Sequence, residues 1–109
     1  MKKLIVFSLA LLTVGAISVR AADAKELWEK NCAKCHGEDG KGKTKMGEKL
    51  GVKDYTDAKV QDGMKDDAMT KAIKEGVKDG DTVKMKGFGD TLSDDEIKAL
   101  VKYVRDFKK

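Results

Sequence analysis

The stretch from Asn31 to Gly37, NCAKCHG, constrains this chain more than any other stretch, because it holds both cysteines and the only histidine among 109 residues. Cys32, Cys35 and His36 bring three soft, ligand-forming side chains together within five positions. Thiolate sulfur and imidazole nitrogen are ligands that suit transition metals. Since the sequence has no other thiol or imidazole, this stretch is where we expect covalent or metal chemistry.

Residues 1–21 have the composition of an export signal rather than of a folded segment. Lys2 and Lys3 give a positively charged start, residues 4–14 are almost entirely apolar, and Ala21 is a small residue of the kind found at signal-peptide cleavage sites. The apolar run is shorter than the roughly 20 residues of a transmembrane helix. We expect a signal peptide over residues 1–21, and therefore a periplasmic or otherwise exported protein.

The remaining residues, 22–109, are enough for one small domain and too few for two. Cleavage after Ala24 and retention of the signal as an anchor are the alternatives. Without the signal the chain has 20 basic and 19 acidic side chains, so it lacks the surplus of Lys and Arg that nucleic-acid binding requires. We expect no nucleic-acid partner and no membrane span in the mature chain.

Three segments have the spacing of amphipathic helices. Residues 24–33 place apolar side chains at positions i, i+3 and i+4, and residues 66–75 do the same before a stop at Gly76. The residues from Ser93 to Glu96 form a capping box that opens a last helix. The apolar stripe of that helix consists of Ile97, Leu100, Val101 and Val104. We expect this stripe to pack on the first helix, at Leu27 and Trp28.

Two glycine-rich segments, residues 37–51 and 78–90, follow neither the helical period nor strand alternation. The sequence therefore predicts an all-α domain of three to four helices joined by glycine-rich loops. Charged residues make up 39% of the chain and aromatic residues only 6%, which leaves little apolar mass for a core. A domain of this size commonly needs a disulfide, metal or cofactor to be stable.

Four kinds of site use cysteines at this spacing. The first is a thioredoxin-like dithiol, which follows a strand in a βαβ unit; it is disfavoured because these cysteines follow a predicted helix. The second is a structural disulfide, which is disfavoured because a bridge across so short a loop would constrain the unfolded chain little. Zinc would need a carboxylate in addition to Cys32, Cys35 and His36. Covalent haem attachment, for which Cys-x-x-Cys-His is the signature, accounts for all three residues: the thiols bond to one edge of the porphyrin and the imidazole reaches the iron.

The sequence resembles the class I, monohaem cytochrome c family from about Ala22 to Lys108. NCAKCHGEDGKGKTKMG is similar to that family's haem loop, KAIKEGV to its middle helix, and MKGFGDTLSDDEIKALVKYVRDF to its distal-ligand loop and final helix. The resemblance implies a small cytochrome c-like fold wrapped around one covalent haem c. It implies a monomeric one-electron carrier between redox partner proteins, not an enzyme. A haem-based sensor or a catalytic haem subunit of a larger complex is the alternative.

The second axial ligand of the iron is expected to be a methionine, because the chain has no second histidine. Met69 belongs to the apolar face of a predicted helix, and Met46 lies too close to the attachment motif. Met85 precedes the final helix and matches the position of the family's distal methionine. We expect His36 and Met85 to bind the iron, with Met64 as the alternative to Met85.

Lysines stand at two positions where members of this family commonly have proline: Lys45 after the haem motif and Lys86 after the distal methionine. Proline would fix φ at these positions, so we expect Met85 to leave the iron more easily. We also expect another backbone carbonyl to accept the proton on Nδ1 of His36, in place of the carbonyl that the family's proline supplies.

Lysine-rich segments lie on both sides of the expected haem edge and favour acidic partners. An ordinary solvated lysine surface is the alternative interpretation. By position, Gly37, Asp54 and Tyr55 are candidates for contact with the haem or its propionates. The lysines concerned are Lys41, Lys43, Lys45, Lys49, Lys84 and Lys86.

Overall fold

The computed structural model describes residues 20–109, so the predicted signal peptide over residues 1–21 lies outside them except for its last two positions. Within this range there are six helices and one two-stranded sheet. No helix of the described part of the chain is both long enough and apolar enough to cross a membrane. The elements are α1 (Ala21–Asn31), α2 (Ala33–His36), α3 (Lys45–Leu50), α4 (Ala58–Asp62), α5 (Asp66–Glu75), β1 (Gly76–Asp79), β2 (Thr82–Lys86) and α6 (Asp94–Arg105).

The three helices that periodicity predicted are present as α1, α5 and α6, and α5 ends at Gly76 as expected. The structure has six helices rather than the three to four that were predicted, and a two-stranded sheet that the all-α prediction did not include. Helices α2, α3 and α4 have only four to six residues each, too few to display an apolar period. The strands were missed because almost every residue in them is exposed, which removes the alternation that marks a half-buried strand.

The core lies where α1 crosses α6, as the sequence predicted. Trp28 of α1 is only 2% exposed and packs in one cluster with Ile97 and Leu100 of α6. The indole ring also lies 5.6 Å from the ring of Tyr103 and 5.1 Å from that of Phe107, centroid to centroid. Full burial of each such apolar side chain contributes about 1.5–3 kcal/mol, so this crossing is the main source of stability among the helices.

The start of α6 confirms the predicted capping box. The backbone N–H of Glu96 donates to Oγ of Ser93 at 3.1 Å, and the backbone N–H of Ser93 donates to Oε1 of Glu96 at 2.9 Å. Both groups would otherwise be unpaired at the helix N-terminus. The box fixes where α6 begins, and therefore which face it turns toward α1.

A β-hairpin takes the place of the predicted irregular loop before α6. Strands β1 and β2 are antiparallel, with Val77 opposite Met85 and Gly76 opposite Lys86. A register shift after Val77 leaves Lys84 as an extra residue in β2, which is the arrangement of a β-bulge. Met85 is the only residue of β2 that is not exposed.

Candidate cofactor site

The five residues from Cys32 to His36, which we call the attachment motif, form a single helical turn between α1 and the following loop. The backbone N–H of Cys32 donates to the Trp28 carbonyl at 2.8 Å, and the N–H groups of Cys35 and His36 both donate back to the Cys32 carbonyl, at 3.3 and 3.0 Å. Both cysteines are free thiols. One turn of helix therefore brings the two sulfur atoms and the imidazole to the same end of α1.

These three side chains line one cavity of about 680 Å³. Ligand pockets in proteins have volumes of about 300–1,000 Å³, whereas an ordinary domain interior has few voids larger than a water molecule. The other walls come from α1, residues 50–55, the turn before α5, α5 itself, the hairpin, the segment that follows it and α6. They include the apolar or aromatic residues Trp28, Tyr55, Met69, Ile73, Phe88 and Leu100. A large apolar ring that carries a metal fits this volume, this lining and this donor set.

His36 is only 8% exposed and lies between two aromatic rings. Its ring stacks on Tyr55 with centroids 5.2 Å apart and planes 26° apart, and it lies 5.6 Å from the Trp28 ring at 37°. Burial lowers the pKa of His36 below its usual range. The imidazole is therefore neutral at pH 7, which is the form that binds metals.

The environment of Nδ1 of His36 differs from the prediction. This buried nitrogen has no hydrogen-bond partner among the described residues, so the expected backbone acceptor was wrong. The nearest carbonyls along the chain already accept other donors: that of Cys35 from the Thr44 hydroxyl at 2.6 Å, that of His36 from the Gly42 N–H at 2.8 Å, and that of Gly37 from the Trp28 indole N–H at 2.9 Å. Aromatic packing, rather than a hydrogen bond, orients the imidazole.

The same hydrogen bonds close the loop that follows the motif. A glycine is required at Gly47, because a Cβ there would collide with the Cys35 carbonyl and lie 2.5 Å from the Gly42 carbonyl. Since α3 packs this closely, the Thr44 hydroxyl can both accept from the Gly47 N–H and donate to Cys35. The loop is thus built around the backbone of the attachment motif, although no proline restrains it.

The pKa of the Cys32 thiol is shifted in the opposite direction from that of a redox-active cysteine. Burial, together with the nearby Cys35, raises its pKa from 9.0 to about 11. Reactive dithiols have lowered pKa values, because the thiolate is the nucleophile, so this site does not fit the thioredoxin alternative.

The zinc alternative has no support from the arrangement of side chains. Within residues 20–109 no three side chains of His, Cys, Asp or Glu are grouped as a metal site would need.

Three methionines of residues 20–109 reach the cavity. Met85 approaches from β2, Met64 from the turn between α4 and α5, and Met69 from α5. Met46 does not line the cavity and is 38% exposed. The structure therefore brings Met85 to the wall of the same cavity as Cys32, Cys35 and His36, as well as its alternative Met64.

Comparison with known proteins identifies the family. The family model for subunit III of cbb3-type cytochrome c oxidase matches residues 19–104. The solved structure of the c-type cytochrome KustC0563 is 37% identical with a TM-score of 0.71, and the match covers 79% of this chain and 98% of that one. The chain belongs to the class I cytochrome c family. Membership makes haem c the cofactor that this site is built for and electron transfer its class of function.

A second solved structure, a tyrosine-to-phenylalanine mutant of Kustc0563, gives the same answer. It is also 37% identical to this cytochrome c, with a TM-score of 0.69 over 79% of this chain and 99% of that one. No curated protein matches the sequence. The solved structures therefore confirm the cytochrome c-like fold over almost their whole length.

This cytochrome c has a buried polar network that could not be predicted from the sequence. Gln61 is 1% exposed, and its side-chain amide donates to the carbonyls of Tyr55 at 2.7 Å and Val104 at 2.8 Å. Its Oε1 accepts from Arg105 at 3.0 Å, and Arg105 also pairs with Asp66 at 2.8 Å. Contacts between residues this far apart in sequence leave no local signal. The network fixes Tyr55, which in turn packs on His36.

Among the described residues of this cytochrome c, the charged side chains along the cavity wall all belong to lysines. They are Lys53, Lys65, Lys84 and Lys86. Of the lysines predicted to surround the haem edge, only Lys84 and Lys86 line the cavity. Tyr55 lies in the wall as expected, whereas Gly37 and Asp54 do not line it. The pKa of Asp54 is lowered chiefly by its hydrogen bonds from Thr56, so this carboxylate is engaged locally.

Proposed function

We propose that this cytochrome c is an exported one-electron carrier with a single haem c, bound through Cys32 and Cys35 and ligated by His36 and Met85. One observation carries the proposal: all four side chains line the same largely apolar cavity. Within a small domain, such a cavity provides both the anchoring points for the ring and the apolar surroundings that electron transfer requires.

Each residue has a definite part. Cys32 and Cys35 hold the ring covalently, and His36 offers a neutral imidazole that Tyr55 and Trp28 keep in place. When bound, haem supplies the reversible exchange of one electron at its iron. If His36 and Met85 both bind the iron, no open position would remain for a substrate, which favours a carrier over a catalyst.

Met85 is preferred to Met64 because of how its backbone is held. Met85 is paired with Val77 in the hairpin, and three residues later the N–H of Phe88 donates to the Ile73 carbonyl at 2.8 Å. The residue is thus fixed from both sides. Met64 lies in a turn, and its own carbonyl accepts a hydrogen bond from the Arg105 guanidinium. The backbone of Met64 is therefore held by the Gln61 network instead of by the hairpin.

An optical spectrum of the holoprotein tests this ligation. Ferric haem with His and Met ligands has a weak absorption band at the red end of the visible spectrum, which is lost when the methionine leaves the iron. We expect Met85→Ala to lose this band, and Met64→Ala and Met69→Ala to keep it. A band that survives in Met85→Ala and disappears in Met64→Ala would transfer the role to Met64. Absence of the band in the unaltered protein would favour the haem-based sensor or enzyme.

Export is the second part of the proposal and rests on residues 1–21. The positive start, the apolar run and Ala21 together support a cleaved signal. N-terminal sequencing of protein recovered from the periplasm should begin at residue 22. A start at residue 25 would indicate cleavage after Ala24, and a start at Met1 would indicate a retained anchor.

The description of the matching family favours a second candidate, in which the chain is the haem subunit of a larger oxidase complex. The two candidates differ in the mass of the native protein. We expect the exported holoprotein to elute from a sizing column as a monomer that is reduced and reoxidised reversibly. Recovery from its source only together with larger subunits would favour the complex.

A further inference from the structure

The C-terminus of α5 and the strand that carries Met85 meet backbone to backbone. At Gly76, with φ +85°, a Cβ would lie 2.5 Å from the carbonyl oxygen of Met85 and 2.7 Å from the nitrogen of Gly87. At Gly87, a Cβ would lie 2.8 Å from the carbonyl oxygens of Glu75 and Lys74. Real side chains do not approach backbone atoms this closely, so both positions require glycine.

Hydrogen bonds hold the two backbones at this distance. Beyond Met85, the N–H of Phe88 donates to the Ile73 carbonyl at 2.8 Å, and that of Gly89 donates to the Lys74 carbonyl at 3.0 Å. These carbonyls belong to the last turn of α5, where helix geometry leaves acceptors without partners. The segment that follows Met85 therefore completes the end of α5 and cannot move away without exposing that end.

We propose that Gly76 and Gly87 are positioning residues for the axial ligand, because their close contact holds the backbone of Met85 against the end of α5. This inference rests on the proposed ligation by Met85. We call the contact between these two glycines and the opposite backbone the glycine latch. On this proposal the latch restrains the backbone beside Met85 without a proline, so Met85 leaves the iron less easily than the sequence alone predicts.

The strength of the latch determines how well external ligands compete for the iron. A methyl group at Gly87 forces β2 away from α5, because its neighbours are backbone atoms that have no rotamer to change. Met85 moves with that strand, since it lies two residues before Gly87. The thioether is then displaced more readily, whereas Cys32, Cys35 and His36 are attached to other elements and keep their places.

The experiment is a spectroscopic titration of the ferric holoprotein with imidazole, which replaces the axial methionine and abolishes its band. We expect Gly87→Ala to bind imidazole about tenfold more tightly than the unaltered protein, given the usual cost of overpacking. Gly76→Ala should show a larger effect, because it adds strain from positive φ to the same collision.

A matched control separates the latch from general effects of alanine. Gly80 has φ +59° in the turn between β1 and β2, but no atom lies within 4 Å of an added Cβ, and Gly80 does not line the cavity. We expect Gly80→Ala to lower thermal stability, because of its positive φ, without a change in imidazole affinity.

The outcomes separate this inference from the proposed function. If Met85→Ala loses the methionine band but Gly87→Ala and Gly76→Ala bind imidazole like the unaltered protein, the latch is refuted and the ligation stands. If Met85→Ala keeps the band, both are refuted. Should Gly87→Ala fail to accumulate with haem, Gly89→Ala is the milder variant, since its Cβ would lie 2.9 Å from the Lys74 carbonyl. An unchanged affinity there would also overturn the latch.

Discussion

The ring of Tyr55 stacks on the imidazole of His36 at 5.2 Å and 26°, and this contact takes the place of a hydrogen bond to Nδ1. The nitrogen is buried and without a partner among the described residues. Orientation of the histidine therefore depends on the shape of its aromatic neighbours. Tyr55 is itself held by Gln61 through its carbonyl, so a residue remote from the motif contributes to the position of the imidazole.

The stacking predicts a difference between two substitutions of Tyr55. Tyr55→Phe keeps the ring, and we expect stability and spectrum close to those of the unaltered holoprotein. Tyr55→Leu removes the aromatic face, whose contribution is about 0.5–1.5 kcal/mol beyond area burial. We expect acid to displace His36 from the iron at a higher pH in Tyr55→Leu, because protons then compete with a less well oriented ligand. Spectra recorded during an acid titration measure this. Equal midpoints for Leu and Phe would show that stacking does not orient the imidazole.

The buried amide of Gln61 predicts a large loss of stability when it is removed. Gln61→Leu leaves the carbonyl of Tyr55 without a donor, whereas the Val104 carbonyl keeps the N–H of Phe107 and Arg105 keeps its other acceptors. Since one unpaired buried group costs about 1–3 kcal/mol, we expect the free energy of unfolding in denaturant to fall by about that amount. The control is Lys102→Ala, which breaks an exposed pair with Asp106 and should change stability by less than about 1 kcal/mol. A Gln61→Leu protein as stable as the control would contradict the role of the network.

Particular residues show why some features could be predicted and others could not. The motif at Cys32 to His36 and the stripe on α6 are local patterns, so the grouping of the two thiols with the imidazole and the α1–α6 core could be predicted from the sequence. The Gln61 network joins residues more than 40 positions apart. The hairpin at Gly76 is stabilised by contact with α5 rather than by an apolar face of its own, and tertiary contact of this kind leaves no period in the sequence.

The raised pKa of Cys32 predicts how the chain behaves before haem is attached. A thiol with a pKa of about 11 is almost entirely protonated at pH 8 and reacts slowly with iodoacetamide. In a Cys35→Ser chain without haem, we expect alkylation of Cys32 to accelerate only well above pH 9, because burial acts on it whether or not the second thiol is present. Mass spectrometry across pH 7–11 follows the reaction. A midpoint near the ordinary thiol value would show that Cys32 is exposed before attachment.

The same shift has a consequence for stability, with a definite sign. The pKa of Cys32 is higher in the folded chain than in the unfolded chain, so the folded chain binds more protons between about pH 9 and 11. Its contribution to stability is fully present below pH 9 and is lost as pH rises through this window. We expect the chain without haem to unfold at lower denaturant concentration at pH 10.5 than at pH 8. Cys32→Ala should reduce this difference, and an unchanged pH dependence in that variant would assign it to other groups, such as Tyr55, whose pKa is also raised by burial.

The lysine wall predicts how the carrier meets its partners. Lys53, Lys65, Lys84 and Lys86 line the cavity, and none of the acidic side chains described in the structure does so. A positive surface around the site of electron exit speeds encounter with an acidic partner and makes the rate sensitive to salt. We expect Lys84→Gln combined with Lys86→Gln to slow electron transfer to an acidic acceptor at low ionic strength and to flatten the dependence on salt. Lys41→Gln combined with Lys43→Gln is the matched control, because these lysines lie away from the cavity wall. Equal salt dependence in the two double variants would mean that the lysines of the cavity wall do not guide the partner, and that general surface charge accounts for any effect.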